Sequence, residues 1–165
     1  MSTESLASLT PPELQSLRVQ PLMVFQIGVK APYVVGATPG YDRRIGEITG
    51  GRFEGERLRG TILTSGSDWQ SLRADGATTL NVRLLLQTDD NALIAMTYLG
   101  VRHGPKQVLD RIARGDQVSP SEYYMRATPY FETSSEKYGW LNRVVTVANG
   151  HRVAGGAIYQ VFEVL

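Results

Sequence analysis

Two carboxylates in this chain stand where local sequence favours proton transfer. Asp68 lies in Gly66-Ser67-Asp68-Trp69-Gln70, after a strand-like run and beside an indole. Glu132 lies in Tyr130-Phe131-Glu132-Thr133, some sixty residues on. A carboxyl group against an aromatic wall is partly desolvated, which raises its pKa and suits it to acid–base work near neutral pH. Two carboxyls in unlike environments can divide the acid and base roles. Arg83 and Arg126 are candidate stabilisers of a developing oxyanion, and Tyr124, two residues before Arg126, can donate a phenol hydrogen to the same oxygen. Trp69, Tyr98, Phe131, Trp140 and Asn142 complete the candidate set as substrate-binding groups.

Each candidate has a structural alternative. Asp68 can cap a turn while Trp69 plugs a barrel end. Spacing alone puts Arg83 with Asn81 and Gln87, opposite Val82, Leu84 and Leu86, and hence on a solvent face. A barrel with a polar lumen inverts that sign. Glu132 and Arg126 flank Thr128-Pro129 and can form a salt bridge that pins a corner there. Asn142, if buried among apolar neighbours, needs partners, of which a backbone group is the commoner kind.

Composition narrows the chemistry further. The chain has no cysteine and two histidines, so thiolate nucleophiles, disulfides and thiolate metal sites are excluded. His103 and His151 each stand without a second ligand at metal spacing, and no metal is expected. The glycines between Gly46 and Gly60 form no strand–GxGxxG–helix unit, and there is no GxSxG elbow. No cofactor is expected. Formal net charge is +1 with scattered basic residues, which gives no electrostatic reason for nucleic acid or acidic membrane as partner. No signal-peptide pattern opens the chain and no apolar run reaches the roughly 20 residues of a membrane span, so a cytoplasmic location is expected.

The elements that must position these residues are mostly strands. Residues 1–18 read as a leader with one short helical turn, in which Thr10 caps, Pro11 takes the first helical position and Glu13 completes a capping box. Residues 19–165 read as one domain. Strands are expected over 22–29, 45–48, 58–64, 79–88, 92–99, 123–128, 140–148 and 157–164, with loops at 32–41 and 149–151. Asp75-Gly76 marks a turn, and Asp89-Asp90-Asn91 suits the positive φ of a tight hairpin. The single convincing helix runs from Gly104 to Gly115, opened by Pro105 and stopped by Gly115. Ser119-Pro120-Ser121-Glu122 repeats the cap signature. Eight or nine short strands with one short helix point to an all-β, closed antiparallel β-barrel, because closure removes exposed edges.

The ordered motifs Ile48-Thr49-Gly50-Gly51-Arg52-Phe53-Glu54-Gly55, Leu58-Arg59-Gly60, Gly66-Ser67-Asp68-Trp69 and Asp75-Gly76 carry a family resemblance. Arg83, the run from Thr88 to Ile94, Tyr123-Tyr124-Met125-Arg126, Phe131-Glu132-Thr133 and Trp140-Leu141-Asn142 continue it. From about Leu22 to the C-terminus the chain resembles the bacterial and fungal family labelled domain of unknown function 3237. The resemblance implies a lipocalin-sized, calycin-like barrel similar to allene oxide cyclase and dirigent proteins, which hold a small organic molecule and use no cofactor. Ser67, Asn91 and Met125 depart from the family pattern, and Met125 can reshape a pocket.

Three functions are compatible with these residues. The first is a cofactor-independent lyase or isomerase, in its favoured form a Michael hydratase adding water to a small α,β-unsaturated carbonyl compound. Arg83 or Arg126 with Tyr124 would stabilise the enolate, and Asp68 or Glu132 would activate water and return the proton. The second is a barrel that only binds a small carbonyl or aromatic ligand. The third is an assembly role, with the aromatics forming a homodimer interface.

Overall fold

Eight antiparallel strands form a barrel that closes where strand Val19–Val29 pairs with both Gly156–Val164 and Asp42–Glu54. Residues 5–165 are described by a computed structural model. The strands are β1 (Val19–Val29), β2 (Tyr33–Ala37), β3 (Asp42–Glu54), β4 (Arg59–Leu72), β5 (Thr78–Thr88), β6 (Leu93–His103), β7 (Tyr124–Glu132), β8 (Thr146–Val153) and β9 (Gly156–Val164). The short β2 pairs only with β3 and lies outside the ring. It takes up residues 33–37 of the loop expected over 32–41.

Strand alternation sorts the side chains. On β5, Leu80, Val82, Leu84 and Leu86 are buried while Asn81 and Arg83 are exposed. On β7, Met125, Ala127 and Phe131 point inward and Tyr124, Arg126, Tyr130 and Glu132 outward. One end of the barrel is apolar. Phe53, Ile94, Met96, Phe131 and Leu141 belong to its core. That end is tied shut where Lys137 Nζ and Tyr138 Oη reach Asp90 at 2.6 and 3.0 Å.

The helix α2 (Lys106–Arg114) covers the opposite end. Gly115 stops it in the left-handed conformation at φ 84°, as expected. The capping box at Ser119 and Glu122 forms and starts a 3₁₀ turn, Pro120–Glu122. Asn91 takes φ 65° in the β5–β6 turn.

Three local expectations change. The N-terminal segment holds two turns, α1 (Leu6–Leu9) and a 3₁₀ turn (Pro12–Leu14). Pro11 is the N-cap of the second turn, and Thr10 instead closes the first as its C-cap, its backbone N–H donating to the Ala7 carbonyl and its hydroxyl to the Leu6 carbonyl. Residues 1–4 of the expected leader lie outside the described residues. Asn149-Gly150-His151 continues β8, because Gly150 packs its backbone against Tyr159; a Cβ there would lie 2.6 Å from the ring. The β8–β9 turn falls later, around Gly155 at φ 70°. The expected strand over 140–148 starts instead as a 3₁₀ turn, Gly139–Arg143.

Candidate functional site

Gly66 has φ 127°, and a Cβ on it would stand 2.2 Å from the Arg83 carbonyl oxygen. The expected corner is thus a bend inside one continuous strand, β4, at a register irregularity against β5. Beyond the bend, alternation turns Asp68 and Gln70 into the barrel and Ser67 and Trp69 out of it. Asp68 is 5% exposed, whereas Trp69 is 46% exposed. The indole therefore provides no wall for Asp68. Trp69 donates to Ser67 Oγ at 2.9 Å, and the Arg43 guanidinium lies 5.5 Å from its ring centre.

Asp68 is buried inside the barrel, close enough to Tyr98 and Tyr159 for both phenols to feel its charge. Tyr98 on β6 and Tyr159 on β9 are each 1% exposed, with ring centres 5.2 Å apart, and Phe25 stacks on Tyr159 at 4.8 Å. Burial raises the Asp68 pKa above its ordinary 3.8, against the opposing pull of a hydrogen bond from Gln70 and the charges of Arg102 and Arg152. Burial likewise holds both phenols well above their usual range, so they are neutral donors.

Gln70 Nε2 donates to Asp68 Oδ2 at 2.7 Å. The other carboxylate oxygen, Oδ1, is buried with no partner among the described residues. The same holds for Nε of Arg44, Arg102 and Arg152. Arg44, Gln70, Arg102 and Arg152 all line one cavity of about 610 Å³ beneath α2, whose Leu109 and Ile112 form its roof. Asp68 lies one inward position deeper than Gln70 on β4. A neighbouring hollow of about 670 Å³ at the C-terminal end of α2 shares Arg152 with this cavity. Buried polar atoms are normally paired, so such a cluster of unpaired ones marks a place built for something else to bind.

Arg152 is held in place from behind. Its backbone N–H donates to Tyr123 Oη at 2.7 Å, and that hydroxyl is hydrogen-bonded to His151 Nδ1 at 2.8 Å. Arg102 sits in a pair of cations: burial first, then the charge of Arg152, lowers its pKa. Among the described residues neither Arg102 nor Arg152 makes an ion pair, whereas Lys30, Arg44, Arg73 and Lys106 around the same cavity each have a carboxylate partner.

The candidates read from the sequence therefore separate. Asp68 and Tyr98 meet inside the barrel. Phe131 is also inside, but in the apolar half with Met96 as its cross-strand partner. Arg83, Tyr124, Arg126 and Glu132 face outward. Glu132 thus cannot pair with Asp68, and Arg126 makes no salt bridge with it; its guanidinium donates to the Met125 carbonyl and lies over the Tyr124 ring. Trp140 and Asn142 lie at the end away from α2, where Arg57 covers the indole at 3.8 Å and Asn142 exchanges two hydrogen bonds with the Thr133 backbone. Arg83→Ala and Glu132→Gln are accordingly expected to leave any interior binding or turnover within about twofold of wild type, measured as kcat/KM on the folded variants, since surface changes act weakly.

The interior guanidiniums come from Arg102 and Arg152, neither of which is among the candidates drawn from the sequence. Arg102 was legible, since it continues the buried parity Ile94, Met96, Tyr98 on β6. Arg152 was hidden by reading Gly150 as a turn. Among the described residues no group of three or more His, Asp or Glu is placed to hold a metal ion, and no helix is long and apolar enough to cross a membrane.

Known proteins resemble this chain over 74% to 94% of its length. A β-barrel-like protein from Acinetobacter baumannii is 39% identical, with a TM-score of 0.80 over 94% of this chain and 99% of that one. A UPF0311 protein from Rhodopseudomonas palustris is 35% identical over 123 residues, 74% of this chain and 80% of the relative. An enzyme from Penicillium herquei is 20% identical, with a TM-score of 0.70 over 94% of this chain and 98% of its own, a likeness of fold alone. The family model described as Protein of unknown function (DUF3237) matches residues 17–164, and the chain belongs to that family.

Proposed function

We propose that the barrel catalyses the addition of water to a small α,β-unsaturated carbonyl compound without a cofactor. The observation that supports it most is the set of unpartnered buried atoms around one cavity: Asp68 Oδ1 below it, and Arg102 Nε and Arg152 Nε on its wall.

Such an addition needs a base for water, a cation for the enolate and an acid for the α-carbon. Asp68 takes a proton from water as the water oxygen bonds to the β-carbon. The π electrons move to the carbonyl oxygen, which Arg102 and Arg152 receive. When the enolate collapses, the Asp68 carboxyl returns its proton to the α-carbon, so H and OH have been added across the double bond. A raised pKa suits this double duty, because the group must accept and release within one cycle. Gln70 fixes Oδ2 and leaves Oδ1 as the working atom.

The test is oxygen-18 incorporation from labelled water into a panel of enones, unsaturated lactones and unsaturated oxo acids, with and without EDTA. Label is expected with wild type in both conditions and is expected to fall with Arg102→Gln. Absence of label across the panel would overturn hydration and leave a ligand-binding barrel as the better reading. Label lost on adding EDTA would overturn the cofactor-free mechanism.

A further inference from the structure

The charge around the cavity does not balance, and an enolate alone does not correct it. Arg102 and Arg152 are cationic throughout a catalytic cycle, while an enolate exists only in passing. Of the six cations that line the cavity, the other four are matched to Asp42, Glu47, Asp75 and Asp110. The carboxylate left for the unmatched pair is Asp68, and Gln70 already occupies one of its oxygens. Holding two adjacent, half-buried guanidiniums beside one carboxyl is unfavourable unless a further anion joins them.

We infer that the ligand of this cavity carries a permanent carboxylate, held by Arg102 and Arg152, and that the substrate class is therefore an unsaturated oxo acid and not a neutral enone. This rests on the proposed function for the word substrate, but the binding claim stands without it. A planar guanidinium matches a carboxylate by two parallel N–H donors, a geometry that a neutral carbonyl cannot fill. Arg102 and Arg152 both line the cavity without an ion-pair partner among the described residues, and the Nε of each lacks a hydrogen-bond partner; Arg44 shares that last feature but is paired with Asp42. An oxo acid with its carbonyl near the carboxylate lets one guanidinium hold the permanent charge and the other receive the enolate oxygen. The roof also fits: Leu109 and Ile112 of α2 offer an apolar surface to a short carbon chain.

The experiment uses 4-oxopentanoate, which is saturated and cannot be hydrated, its methyl ester, and the unsaturated acid 4-oxopent-2-enoate with its own ester. Binding is read by calorimetry and by the shift in melting temperature. The saturated acid is expected to bind and raise the melting temperature of wild type, with its ester weaker on the order of tenfold or more. Arg102→Gln and Arg152→Gln are expected to abolish the difference between acid and ester. Arg102→Lys, which keeps charge but loses the planar fork, is expected to restore only part of it. Both Gln variants are expected to stay folded at the assay temperature, checked by circular dichroism, so that lost selectivity reads the missing guanidinium. Equal binding of acid and ester to wild type would overturn the inference, as would undiminished acid selectivity in both Gln variants. Acid binding without turnover of 4-oxopent-2-enoate would leave the inference standing and count against hydration. Turnover of a neutral enone with no acid preference would do the reverse.

Discussion

Asp68→Asn is expected to lower kcat/KM for hydration by about 10²- to 10⁴-fold, the range typical of losing a general acid–base group, while leaving the fold intact or firmer. Asparagine keeps the shape and can still accept from Gln70, so the loss reads proton transfer and not packing. The stability arm has a definite sign. Burial raises the folded-state pKa of Asp68 above the 3.8 of a free aspartate. The folded chain therefore holds that proton more tightly than the unfolded chain. Below about pH 3.8 both states are protonated and the full stability is present. As pH rises through the unfolded and then the folded pKa, that contribution is lost in wild type and not in Asp68→Asn. Urea denaturation at several pH values should show the variant gaining on wild type as pH increases. In wild type, the acid limb of kcat/KM should rise through the raised pKa. It should move to higher pH in Arg102→Gln, because the Arg102 charge lowers the Asp68 pKa. Full activity in Asp68→Asn would remove the residue from the reaction.

Phe131→Ala should have the largest effect on stability, about 3–5 kcal/mol in denaturant unfolding. The ring is 1% exposed and faces Met96 across the β6–β7 pair, in the half of the barrel that the Tyr138–Asp90 contacts close. Removing it leaves a cavity in a close-packed interior. Phe131→Leu should recover most of the loss. At a temperature where the Ala variant remains folded, binding in the α2-covered cavity should stay near wild type, since that cavity is lined by other residues. A small stability loss together with lost binding would instead make Phe131 a ligand contact, the role its aromatic neighbourhood suggested in the sequence.

The class of fold was legible because strand period, turn chemistry and helix stops agreed. Gly115 after Val108 and Ile112, and Asn91 between β5 and β6, mark boundaries that backbone sterics alone dictate. Where glycine served packing instead of turning, local reading failed. Gly66 and Gly150 resemble turn residues in the sequence; in the barrel each lets another group approach too closely for a side chain, the Arg83 carbonyl in one case and the Tyr159 ring in the other. Misplacing Gly150 also concealed Arg152, two residues later on the same face of β8.

Asp68 was found by its local setting, although the aromatics that share its buried space are Tyr98 and Tyr159 from other strands, not the adjacent Trp69. Composition limited the chemistry to carboxylates, arginines and phenols, since a chain without cysteine has no thiolate to use. Motif order placed it among its relatives. Alternation alone set Arg83 outward and Arg102 on the inward parity, but a polar lumen would have inverted that sign, and choosing the sign was a matter for the tertiary structure. Arg83 and Arg102 both lie on strands of alternating pattern, but facing in or out is settled by the register that β4–β5–β6 pairing imposes around a closed ring. Closure then brings β4, β6, β8 and β9 into one lumen, where residues as distant in the chain as Asp68 and Tyr159 share a single low-dielectric space. Local sequence specifies the side chains and their alternation; the long-range pairing alone determines which charges are brought to face one another inside the barrel.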